Sequence, residues 1–178
     1  MRKVLYLLGS LTDSDAAWIA RTGTRRRINK GDILIHEGQP AEFLIVLLQG
    51  EFVVSDKSLG EIARLGVGEI VGEMSFLDAA PPSATVSAVS EGLALFLEKK
   101  TMSAKLESDV GFGCRFYRAL AIFLADRLRA TVHRMGYGQD DFDAQSIAKD
   151  ELDMSILDTV SLAGDRFDRM LKMLVGNR

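Results

Sequence analysis

The stretch GEIVGEMSFLDAAPPSATV, residues 68–86, decides the reading of this 178-residue chain. Ile70-Val71 is a short apolar run that fits the end of a strand, and Gly72 follows where the backbone must turn tightly. Gly72-Glu73-Met74-Ser75-Phe76-Leu77 then fits a single helical turn with free backbone N–H groups at its start. N–H groups so placed attract an anion. Glu73 sets a carboxylate at that turn, able to accept hydrogen bonds from a sugar hydroxyl, and Ser83 brings a hydroxyl and an N–H from the returning strand. Together they describe a pocket for phosphate plus ribose. The residues alone also allow a plainer role, in which Glu73 caps its own turn and Pro81-Pro82 stiffens a loop.

Around that stretch the chain has three textures. Residues 25–97 hold short apolar or alternating runs at 33–35, 43–48, 52–54, 61–65, 70–71, 85–89 and 93–97, with glycines at 31, 38, 50, 60, 66, 68, 72 and 92 between them. Short strands at regular spacing predict an antiparallel sandwich or barrel. Ahead of them lies a helical lead-in that Thr12 or Asp13 caps, with Trp18 and Ile19 inside it and Gly23 closing it. After Glu98 the glycine rhythm stops. Apolar residues at 116, 120, 123, 124, 128, 132 and 135 predict one long amphipathic helix that starts at Phe112 and ends at Met135. Gly136-Tyr137-Gly138 ends it, and an acidic stretch follows. A last helix places Ile156, Val160, Ala163, Phe167, Met170 and Leu174 on one heptad seam.

Composition narrows the function. Lys+Arg 22 against Asp+Glu 25 leaves a net charge of −3, which draws the chain onto neither nucleic acid nor anionic lipid. Arg25-Arg26-Arg27 with Lys30 makes the first thirty residues basic, a pattern of a solvated edge strand more often than of a nucleic-acid site. Cys114, His36 and His133 are too few and too scattered for a disulfide framework or a zinc site, so no metal is expected. The apolar runs at 43–48 and 119–125 fall far short of the ~20 residues that cross a bilayer. The opening Met1-Arg2-Lys3 and its short apolar run lack a convincing cleavage pattern, and the expectation is a cytoplasmic protein. Gly66-x-Gly68-x-x-x-Gly72 misses the dinucleotide fingerprint by one residue, and no other enzyme signature is present, so no catalytic residues are expected.

Taken in order, these features resemble the cyclic nucleotide-binding domain of the catabolite activator and protein kinase A regulatory subunit families. Gly31-Asp32 with Gly38 looks like that family's first hairpin, and residues 43–54 with Gly50 look like its next strand pair. Gly72-Glu73 and residues 81–86 look like its phosphate-binding cassette. The helix from about Phe112 is similar to the one that closes the pocket and pairs the subunits. The resemblance runs over about 130 residues, from Leu11 to Gly138. It implies a mainly β jelly roll with flanking helices, a long C-helix and an extra C-terminal helix. The boundaries are 1–138 for the domain (lead-in 1–24, jelly roll 25–98, helices 99–138), 139–154 for an acidic linker and 155–178 for the terminal helix.

The resemblance also implies ligand-binding residues Gly72, Glu73, Met74, Ser75, Pro82, Ser83, Ala84 and Thr85. Glu73 would take the ribose 2′-hydroxyl, and backbone amides near Met74, Ser75, Ser83 and Ala84 the cyclic phosphate of cyclic AMP or cyclic GMP. The family pattern P-R-[AST]-A-[TS]-V stands here as Pro81-Pro82-Ser83-Ala84-Thr85-Val86. Pro82 replaces the arginine that pairs with the phosphate, and a charge-assisted bond of that kind is worth ~1.5–3 kcal/mol. Arg64 is near in sequence, but its place in an alternating run turns it to solvent.

The expected function is a stand-alone, non-enzymatic sensor that binds a cyclic nucleotide or related phosphorylated ligand weakly and signals through the C-helix and tail. An alternative is a ligand-free dimerisation or adaptor module on the same fold. A third reading, a transcription regulator of the resembled type, lacks its DNA-binding domain. Residues 139–178 carry five Lys/Arg against nine Asp/Glu, which opposes direct DNA binding. The expected partners are a second copy, through the 112–135 helix, and a protein that meets the 155–178 helix; no membrane is expected.

Overall fold

A computed structural model describes residues 9–134, 164–166, 168, 169 and 172. After Gly9 and Ser10, which are helical, come helix α1 (Asp13–Thr22) and strands β1 (Thr24–Ile28), β2 (Ile33–Ile35), β3 (Phe43–Gln49), β4 (Phe52–Asp56), β5 (Gly60–Leu65) and β6 (Ile70–Val71). A one-turn helix α2 (Met74–Leu77) precedes β7 (Thr85–Ala88) and β8 (Gly92–Glu98), and helices α3 (Lys99–Ser108) and α4 (Val110–Arg134) follow. Two four-stranded sheets form, in the orders β1-β8-β3-β6 and β2-β7-β4-β5, and every strand pair is antiparallel. This is the mainly β jelly roll with flanking helices that the sequence predicts.

The run Phe43–Leu48 is continuously apolar because β3 is covered on both faces. Leu44, Val46 and Leu48 point into a cluster with Ile19, Met102, Phe112, Phe116, Leu120 and Phe123 from the helices. Ile45 and Leu47 point the other way, into the layer between the sheets, with Phe52, Leu65, Val86 and Phe96. The two-residue period of a strand therefore sorts one apolar run into two cores. The neighbouring strand β8 divides in the same way, Leu95 and Leu97 towards the helices, Ala94 and Phe96 towards the second sheet. β1 is an edge strand whose Arg25, Arg26 and Arg27 are exposed. The Arg26 guanidinium lies over the Phe96 and Phe43 rings, 4.4 and 4.9 Å from their centroids.

Helices α1 and α4 are fixed by caps and by an ion pair between them. Thr12 begins α1 with a reciprocal box: its hydroxyl accepts from the Asp15 N–H, and Asp15 accepts from the Thr12 N–H. Asp15 is 5% exposed and is gripped by Arg115 of α4 through two bonds of 2.7 and 3.0 Å. Burial pushes the Asp15 carboxyl up, and the Arg115 and Thr12 hydrogen bonds outweigh it, leaving it below its ordinary value. The Asp109 carboxylate accepts from the Phe112 N–H at 2.9 Å and so starts α4. Trp18 of α1 meets Phe112 edge-on with centroids 5.5 Å apart.

Two expectations for α4 change. Phe116 was counted on a stripe that pairs subunits, yet Phe112, Phe116, Leu120 and Phe123 are buried in the chain's own core. That face is needed to cover the first sheet. The exposed apolar face is a different one, with Tyr117 at 48%, Leu128 at 65% and Val132 at 40%. Cys114, on the same helix, is exposed, although a cysteine on a long amphipathic helix reads as a packing residue. The acidic linker 139–154, Met135 and the seam residues Ile156, Val160, Ala163, Phe167, Met170 and Leu174 lie outside the described residues. The described tail residues are helical and return to the start of the chain. There Arg166 donates to Asp13 at 2.6 Å and to the Gly9 carbonyl at 3.3 Å, and Arg169 to Asp13 at 3.1 Å.

Candidate functional site

The site begins where β6 ends against β3. Gly72 has φ +86°, and a Cβ there would stand 2.5 Å from the Phe43 carbonyl oxygen, so only glycine lets the chain turn at this point. The turn leads into α2, whose residues are not buried, and leaves Glu73 at its start, 2% exposed. On the returning side the Pro82 carbonyl accepts from the Gly38 N–H at 2.8 Å, which pins the 78–84 loop to the β2–β3 connection. Between the two segments lies a cavity of about 330 Å³.

Seven of the eight expected residues line it: Gly72, Glu73, Met74 and Ser75 from the turn, and Pro82, Ser83 and Ala84 from the loop. Ser83 stands in that loop, two residues before β7 begins. Thr85 does not line the cavity; its hydroxyl accepts from the Glu37 N–H at 3.2 Å and serves as a fastener between β7 and the first hairpin. The rest of the wall includes Ile35, Val54, Ile62, Val71 and Val86 from the strands. Arg64 points to solvent, as expected, held by Glu61 at 2.8 Å and by Glu51 at 3.6 Å.

Arg127 of α4 enters the cavity and pairs with Glu73, the guanidinium donating to Oε1. Glu73 makes no side-chain cap bond to its own turn, so the plain capping role is not the one it plays. Burial pushes the Glu73 carboxyl above its ordinary value, while Arg127, the residue's own backbone N–H and Lys99 pull it down without cancelling the shift. Lys99, at the start of α3, donates to the Ser75 hydroxyl at 2.7 Å. Burial lowers its pKa, against the pull of Glu73 and Asp78. The turn that carries the carboxylate is thus tied to α3 by a lysine and to α4 by an arginine.

Neither cation was singled out from sequence, though Arg127 left a signal. It stands four residues after Phe123 and seven after Leu120, on the face that buries Phe116, so a charge falls where the helical period demands a core residue. Among the described residues no cluster of His, Cys, Asp or Glu is arranged to hold a metal ion, and no helix is long and apolar enough to cross a membrane.

The family model of the cyclic nucleotide-binding domain matches residues 25–109. Residues 25–109 are therefore similar to that domain, and the jelly roll they form has its fold. The crystal structure of a cyclic nucleotide-binding domain from Methylobacillus flagellatus superimposes with a TM-score of 0.66 at 22% identity, covering 74% of this chain and 80% of that one. The N-terminal domain of a transcriptional regulator from Streptomyces coelicolor A3(2) gives a TM-score of 0.60 at 27% identity, covering 80% of this chain and 99% of that one. A cAMP-dependent protein kinase regulatory subunit of Candida albicans is 29% identical over 97 residues, 54% of this chain and 21% of that protein. The chain spans a quarter or less of the length of the curated relatives it matches. The cavity and the Glu73 turn fall inside the matched span of the domain, whereas Arg127 lies beyond it.

Proposed function

We propose that the chain is a non-enzymatic sensing module whose ligand, of the cyclic nucleotide class or a related phosphorylated compound, enters the cavity beside Glu73. The observation that carries the reading is the Glu73–Arg127 pair on the wall of a ligand-sized space. A ligand whose hydroxyls bond to Glu73 beside Arg127 changes how firmly that pair holds α4, a shift in the population of two helix positions. Affinity for cyclic AMP or cyclic GMP is weak, because Pro82 brings neither charge nor donor. The signal leaves through α4, whose Arg115 holds Asp15 of α1, while Asp13 of the same helix holds Arg166 and Arg169 of the tail.

A second copy of the chain is the partner proposed for the exposed α4 face carrying Tyr117, Leu128 and Val132. The ligand-free adaptor is the second reading, favoured by Pro82. Mass spectrometry of small molecules released from the purified protein separates the two, joined to hydrogen exchange on α4 with and without added cyclic AMP. Release of a nucleotide, or altered exchange around Arg127, supports the sensor; neither leaves the adaptor standing.

A further inference from the structure

The cavity is short of positive charge. Among the described residues the ionisable side chains on its wall are Glu73, Asp78 and Arg127, one cation against two carboxylates. Arg127 is already committed to Glu73. Lys99 is not on the wall; its Nζ donates to the Ser75 hydroxyl behind it, and its charge is drawn on by Glu73 and Asp78. Pro81 and Pro82 carry no N–H, and the Pro82 carbonyl is taken by Gly38. A phosphate entering this space meets a net negative wall, with only the N–H groups of the turn and of Ser83 and Ala84 to receive it. Drawing Arg127 across to the phosphate does not solve the problem, because Glu73, 2% exposed, is then left buried without its cation.

An uncharged, hydroxyl-bearing ligand meets none of these costs. An ionised carboxylate accepts about four hydrogen bonds. Arg127 occupies Oε1, so hydroxyl donors can bond to Glu73 while the ion pair stays closed. The strand side of the wall is apolar, and Ile62 and Met74, 43% and 52% exposed, offer apolar surface on which a flat ring can lie. A volume of about 330 Å³ sits at the small end of the range for drug-sized ligands, ~300–1,000 Å³.

We propose that this cavity selects an uncharged nucleoside over the corresponding cyclic monophosphate, because the Glu73–Arg127 pair and Pro82 together leave no free cation for a phosphate. The inference rests on the cavity being the ligand site. Binding then weakens little with added salt, since no net charge is paired on association.

The test is calorimetric titration of the full chain with adenosine, guanosine, cytidine and uridine and with their 3′,5′-cyclic monophosphates, at low and high salt. Wild type, Pro82→Arg and Pro82→Ser are compared, with melting temperatures to confirm folding. The wild type should bind one nucleoside at least about ten-fold tighter than its cyclic monophosphate, with little salt dependence. Pro82→Ser, which removes the ring without adding charge, should keep that order, and Pro82→Arg should reverse it. A cyclic monophosphate bound as tightly as its nucleoside by the wild type overturns the inference and leaves the sensor reading intact. A nucleoside preference that survives Pro82→Arg unchanged overturns it too. Failure of every ligand with every variant removes the cavity as a ligand site, and both readings fall.

Discussion

Replacing Arg127 with methionine removes the cation that faces Glu73 while keeping an unbranched side chain beside the Phe123 ring. The guanidinium lies 5.3 Å from that ring's centroid, so some apolar contact is retained. Glu73 is 2% exposed and cannot turn to water for a substitute. Leaving one member of a buried pair uncompensated costs ~3–5 kcal/mol. Arg127 keeps 23% of its side chain accessible, so water already shares part of the pairing and a loss at or just below the bottom of that range, ~2–3 kcal/mol, is expected near pH 8. The sign of the pH dependence follows from the raised Glu73 carboxyl. A carboxyl whose folded pKa lies above its unfolded value of ~4.3 costs stability where it must ionise, above the folded pKa, and nothing below the unfolded one. Removing Arg127 raises Glu73 further, so the deficit should shrink as pH falls from about 8 towards about 5. Urea denaturation at the two pH values measures it. Adding Glu73→Gln to Arg127→Met should recover at least ~1 kcal/mol near pH 8, the coupling between the two side chains. A loss under ~0.5 kcal/mol, or one that does not change with pH, would show that the pair is not what compensates the buried carboxylate.

Three further outcomes are expected. Gly72→Ala should cost ~2–4 kcal/mol in denaturant unfolding, since the new Cβ combines a left-handed backbone with a contact of 2.5 Å to the Phe43 carbonyl. Phe116→Ala should lose ~3–5 kcal/mol as a core cavity, whereas Leu128→Asp should leave folding intact and convert the sedimenting species to monomer. Asp15, held below its ordinary value, contributes stability that is present above ~3.9 and lost as pH falls through its lowered folded value; Asp15→Ala should cost ~2 kcal/mol near neutrality and flatten that acid limb of the stability curve.

The strands were legible because their pattern is local. Runs at 33–35 and 70–71 coincide with β2 and β6, and the others differ from their strands by a residue or two at the ends. The turn after Gly72 was legible for the same reason, since a glycine between a short apolar run and a polar helical start describes its own geometry. What the long helix buries was harder to read. Its apolar residues spread over more than one face, and nothing within the helix says which face the first sheet covers. The positions of Leu44, Val46 and Leu48 answer that by claiming Phe112, Phe116, Leu120 and Phe123, and only then do Tyr117, Leu128 and Val132 stand out as the face left over.

The site divides along the same line. Glu73 and Ser83 were readable from a single nineteen-residue stretch, but the partners that determine what Glu73 does come from elsewhere: Arg127 lies 54 residues away along the chain. A carboxylate at a turn is ambiguous until its neighbours are known, because capping, ribose recognition and ion pairing all need the same group in the same place. Arg127 resolves the ambiguity in one direction, and Pro82 acts in the same direction from the other side of the cavity. On the proposed reading one cation is engaged by Glu73 and Pro82 offers none, so the described wall holds no free cation for a phosphate. A restored arginine at position 82 therefore supplies a free cation without disturbing the pair, whereas removing Arg127 only exposes the carboxylate. The two substitutions should act on ligand choice and on stability respectively, and that separation is what a cavity with a closed ion pair requires.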